Sequence, residues 1–120
     1  MKKCIRGLLA SSFAGIVFVS LYAQTRKTEM RPADTKEAVE RGESVFKSHC
    51  AICHFAASTE KKIGPGLKEL PKRPKFGDGT KNDNQSLTKL IQNGGKNMPP
   101  LHEDLTDAQI RDLLAYLRTL

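Results

Sequence analysis

Cys50, Ala51, Ile52, Cys53 and His54 place two thiols and an imidazole within five consecutive residues. Nothing else in the chain limits its fold as much. Two cysteines three positions apart on a helical turn face the same way. Their thiols reach the two vinyl groups on one edge of a porphyrin and become thioethers, and C-x-x-C-H is the attachment signal for a c-type haem. The next residue, His54, is then carried beneath the iron, where an imidazole nitrogen serves as proximal ligand. With 3 Cys and 3 His in 120 residues, random placement gives roughly 0.002 occurrences of this pattern per chain. Two other chemistries use such cysteines. A zinc site needs four ligands, drawn from His49, His54 and His102 beside the thiols, yet neighbouring Cys53 and His54 converge poorly on one tetrahedral ion. A thiol redox pair expects a βαβ setting, and no alternating strand is visible.

Length and composition fit a cofactor-supported domain. Hydrophobic residues make up 38% and aromatics 6%, with no Trp. That is a lean core for a single domain, and it excludes a multidomain enzyme, a multi-span membrane protein and a low-complexity chain. A domain with so little to bury needs support from something other than its own side chains.

The N-terminus reads as a targeting segment. Lys2, Lys3 and Arg6 precede an uncharged run from Gly7 to Ala23. A basic start, an apolar middle and a small exit residue make a secretory signal over residues 1–23. Leu21 occupies the position where a small residue is usual, so an uncleaved membrane anchor is the alternative. As a helix the run spans about 25 Å, a little short of a bilayer core. Either reading exports the domain to the periplasm, soluble or tethered to the inner membrane. Cys4 precedes the apolar run and is lost if cleavage occurs. Without residues 1–23 the chain keeps 17 basic and 13 acidic residues, a net of +4. No basic stripe interleaved with aromatics follows, so no nucleic-acid site is expected.

The exported part reads as all-α. Residues 24–35 form a linker or arm. Asp34, with Glu37 three positions on, is the expected start of a first helix. Ala38, Gly42, Val45, Phe46 and His49 share one face of it. Residues 56–84 are rich in Gly and Pro and form a long basic loop, which something besides the chain is expected to organise. A short helix is expected from about Ser86 to Asn93, ended by Gly94 and Gly95. In the last helix Thr106 and Gln109 form a capping box, and Ile110, Leu113, Leu114 and Leu117 recur at helical spacing.

Residues 36–120 resemble a small bacterial monohaem class I cytochrome c. The resemblance rests on C-x-x-C-H at 50–54, on Gly42 and Phe46 in the preceding helix, and on Leu113 and Tyr116 in the last one. It rests also on Gly64, Pro65, Gly66 and Leu67 downstream of the histidine, and on Asn97, Met98, Pro99 and Pro100. It implies the cytochrome c fold, with three or more helices around one haem c bound through Cys50 and Cys53. It implies His54 and Met98 as iron ligands, with the Pro65 carbonyl accepting the other ring N–H of His54. With both axial positions filled, electron transfer follows rather than catalysis. A tethered cytochrome subunit of a dehydrogenase or oxidase complex is the alternative, and a ligand-binding or peroxidase-like haem domain a further one. Lys61, Lys62, Lys68, Lys72, Arg73 and Lys75 read either as a solvated loop or as a face that docks acidic redox partners.

Overall fold

The structure, a computed structural model, describes residues 35–120. The expected signal or anchor, the linker through residue 34 and the expected cap Asp34 lie outside the described residues. Among the described residues there are three helices: α1 (Lys36–His49), α2 (Asn84–Asn93) and α3 (Asp107–Leu117). A single 3-10 turn at Leu70–Lys72 interrupts the long loop. Pairing among the described residues goes no further than two isolated bridges, Lys75 with Lys81 and Gly95 with Met98. The architecture is all-α, as the periodicity predicts.

Helix α1 starts one residue later than expected. Its cap is Thr35, whose hydroxyl accepts the Ala38 amide at 3.2 Å. Ala38 therefore holds the third helical position, and Glu37 lies too early to close a capping box. Ala38, Gly42 and Phe46 are buried, while Val45 and His49 are half-buried at the edge of that face. Helix α3 carries the expected box: Gln109 donates its amide to the Thr106 hydroxyl, and its side chain accepts the Thr106 N–H at 2.9 Å. Ile110, Leu113, Leu114 and Leu117 are all buried.

Helices α1 and α3 cross at Gly42. A Cβ there would meet the Asp112 carbonyl and lie 2.8 Å from the Tyr116 Cβ, so only glycine lets the backbones approach this closely. One turn on, the Phe46 and Tyr116 rings pack 5.5 Å apart, tilted by 52°. Arg41 closes the other side of the crossing with a two-pronged fork on Asp112, at 2.6 and 2.8 Å. Such forks fix geometry as well as adding charge-assisted bonds.

Helix α2 begins two residues before the expected Ser86, because Asp83 caps it and accepts the Ser86 amide at 2.8 Å. Leu87 and Ile91 on α2 join Phe46, Leu113 and Leu117 in the core. Gly94 ends the helix at φ 74°, a left-handed value that favours glycine.

Candidate functional site

The C-x-x-C-H turn is built on the end of α1. The Cys50 and Ala51 amides both donate to the Phe46 carbonyl, at 2.8 and 2.9 Å. The Cys50 carbonyl then accepts the amides of Cys53 (3.0 Å) and His54 (2.9 Å). One carbonyl thus folds both cysteines and the histidine into a single tight turn. Both thiols are free, Cys50 buried and Cys53 half-buried. Burial, with the neighbouring Cys53 second, pushes the Cys50 thiol up to about 11.

The His54 ring is held from two sides. Its Nδ1 lies 2.8 Å from the Pro65 carbonyl oxygen. A carbonyl only accepts, so Nδ1 carries the proton and Nε2 keeps its lone pair for a metal. Gly64 lies flat against the imidazole: a Cβ there would sit 2.8 Å from both ring nitrogens. The Gly64 amide donates to the Cys53 carbonyl at 2.8 Å, and Lys62 Nζ donates to the Ala51 carbonyl at 2.8 Å. These bonds pin the 62–65 loop onto the cysteine turn.

Met98 sits in a tight turn between α2 and α3. The Gly95 amide donates to the Met98 carbonyl at 2.9 Å, and the Met98 amide returns the bond at 3.3 Å. Met98 is half-buried and packs against the core.

Cys50, Cys53, His54, Pro65 and Met98 all line one cavity of about 670 Å³. Cofactor pockets fall in the ~300–1,000 Å³ range and are mostly apolar with a few placed polar groups. Phe46, Leu70, Leu87, Ile91 and Leu113 supply apolar wall here. Among the described residues no three His, Cys, Asp or Glu side chains gather as metal ligands.

Residues 37–117 match the family model described as cytochrome c oxidase, cbb3-type, subunit III. The chain belongs to this family of c-type cytochromes. A cytochrome c6-like protein of Nostoc sp. is 28% identical over 86 residues, covering 72% of this chain and 73% of that protein. The solved structure of cytochrome c6 from the diatom Phaeodactylum tricornutum superposes with a TM-score of 0.54 at 28% identity, over 68% of this chain and 91% of that one. The cytochrome is therefore an electron-transport protein of the small class I type, and its family implies a covalently bound haem c. The cavity fits that group in its size, its apolar walls and its donor set of two thiols, an oriented imidazole and a thioether.

The basic loop is less uniform than its sequence. Lys72 pairs with Glu69 at 2.8 Å, and Lys62 bonds Ala51 and lies 5.2 Å over the Phe55 ring. Arg73 Nη2 donates to the carbonyls of Gly66 (2.8 Å) and Lys68 (2.6 Å). Lys61, Arg73, Lys75 and Lys96 line the cavity against one carboxylate, Asp78. His49 is half-buried and His102 exposed, with His102 Nδ1 3.1 Å from the Gln92 carbonyl. Neither lines the cavity. Gly64 as a wall against the imidazole, and Asn82 and Arg118 behind the loop, are contacts that sequence patterns do not reach.

Proposed function

We propose that this cytochrome is exported to the periplasm and carries single electrons between redox partners through an iron held by His54 and Met98. The observation that carries the reading is the shared cavity: the two cysteines, the oriented imidazole and the Met98 turn all open onto it. When bound, haem c supplies an iron that exchanges one electron with little change of geometry.

The chain's own residues do the rest. Cys50 and Cys53 would hold the porphyrin edge by thioether bonds, Cys50 from the buried end of α1. Pro65 fixes the His54 tautomer and strengthens Nε2 as a donor. The Met98 thioether favours ferrous iron and so raises the potential relative to harder ligands. Apolar side chains exclude water. Lys61, Lys75 and Lys96 line the cavity together with the exposed Ile63, and suit an acidic partner surface with an apolar contact.

A potentiometric titration of the haem-loaded protein tests this, followed by exposure of the reduced form to carbon monoxide near neutral pH. The expected result is a single one-electron wave and no rapid carbon monoxide binding. Rapid binding by the untreated protein contradicts the Met98 assignment and favours a ligand-binding haem. A second reading rests on the family description, which is that of an oxidase subunit. Stable copurification with a membrane complex, with residues 1–23 retained, would favour it over a free carrier.

A further inference from the structure

Residues 70–76 supply part of the cavity wall that the long loop provides, through Leu70, Arg73, Lys75 and Phe76. This stretch contains little regular structure of its own, and besides backbone bonds from Leu70 to Leu67 and from Phe76 to Thr80 one side chain from outside braces it. Asn82 Nδ2 donates to the Leu70 carbonyl at 2.7 Å and to the Arg73 carbonyl at 2.9 Å. The Asn82 amide donates to the Pro74 carbonyl at 3.1 Å. On its other side, Asn82 Oδ1 accepts from Arg118 Nη1 at 3.0 Å, and Arg118 Nε reaches Asn84 Oδ1 at 2.9 Å. Two carbonyls on one side and a guanidinium on the other fix which way the amide points. Arg118 follows the end of α3, so the wall is tied to the helix that also forms the core.

We propose that Asn82 is a positioning residue of the haem cavity: it holds Leu70 and Arg73 against the site, keeps water out and so keeps the reduction potential high. The inference rests on the haem reading above. Leu70 is 4% exposed, and its burial depends on a loop whose carbonyls have Asn82 as their side-chain partner. The Leu70 carbonyl also accepts the Arg73 amide at 3.1 Å, so without Asn82 it keeps one bond, while the Arg73 carbonyl loses its side-chain donor and opens the turn toward water. Water at the site stabilises the more highly charged ferric form, because the apolar shell controls local polarity and with it the potential. Arg73 adds to this in the same direction. Its cation lines the cavity and disfavours the ferric charge, and loosening its backbone lets it move away.

The test compares midpoint potentials of haem-loaded variants, with melting temperatures measured alongside. Asn82→Ala removes the donors without adding a charge. Arg118→Lys keeps the charge but loses the link to Asn82 and Asn84. Thr106→Ala weakens α3 at its far end and touches no part of the wall. The expected result is a fall in potential for Asn82→Ala, on the order of a threefold shift toward the oxidised form, or about 28 mV at 59 mV per tenfold change. Arg118→Lys falls less, and Thr106→Ala melts earlier at unchanged potential. If Asn82→Ala fails to fold, the comparison of Arg118→Lys with Thr106→Ala decides alone. An unchanged or raised potential in the Asn82 and Arg118 variants overturns the proposal, as does an equal fall in Thr106→Ala. A native chain that retains no haem removes the reading beneath it, which is a separate outcome.

Discussion

Gly64 shows how little freedom the site leaves its histidine. With a Cβ 2.8 Å from both ring nitrogens, Gly64→Ala must push the imidazole away or break its bond to Pro65. We expect covalent haem to be retained through the cysteines, with weakened low-spin bands and a shifted potential. An unchanged spectrum would show that the ring tolerates the contact. Met98→Ala should lower the potential and admit carbon monoxide to the reduced protein, whereas unchanged spectrum and potential would remove Met98 from the iron. Met98 was legible through the likeness of Asn97, Met98, Pro99 and Pro100 to the family's Met-Pro loop, whereas the Gly64 contact was not, because no periodicity ties a loop glycine to the ring it covers. Asn82 was not legible: its side-chain partners lie 9, 12 and 36 positions away, and one asparagine in a polar loop carries no pattern. Arg73 read as part of a charge run, but its guanidinium is spent on two backbone carbonyls.

The helices follow the apolar periodicity, and their ends follow capping chemistry. Helix α3 matches its sequence signature at the first residue, because Thr106 and Gln109 satisfy each other. Helices α1 and α2 start elsewhere than expected because Thr35 and Asp83 bond the free amides. The α1–α3 crossing is the element most exposed to a small change. Gly42→Ala inserts a methyl against the Asp112 backbone and should cost about 1–3 kcal/mol, read as an earlier thermal melt, whereas an unaltered melt would mean the helices separate freely. Acid acts at the start of α2. The Ser86 amide, with Lys81 a lesser cause, holds the Asp83 carboxyl below its ordinary range. A lowered carboxylate stabilises the fold above its unfolded value, about 3.9, and that contribution is lost as pH falls through the lower folded value. Melting temperature should therefore drop below about pH 4, and Asp83→Ala should lose part of that acid dependence while melting earlier at neutral pH. A variant with the same acid dependence as the native chain would exclude the cap as its source.

At the scale of the molecule, the loop between the cysteine turn and α2 determines what the domain can do. It lacks an extended apolar stripe, so periodicity says nothing about its path. Side-chain bonds from Arg73, Asn82 and Lys62 shape it, and two of its lysines, Lys61 and Lys75, line the cavity. If those charges steer an acidic partner, bimolecular electron-transfer rates should fall as ionic strength rises, and a flat dependence would leave them as solvating charges. Whether one covalent haem joins this loop, α1 and the Met98 turn is tested by an absorption spectrum, reduced and oxidised, of protein made with haem-attachment machinery, repeated after denaturation in acid solvent. The expected result is haem that survives the solvent, sharp low-spin bands on reduction and a weak red-edge iron–sulfur band on oxidation. Haem without the iron–sulfur band would contradict the Met98 ligation, and haem lost to the solvent would contradict the covalent site itself.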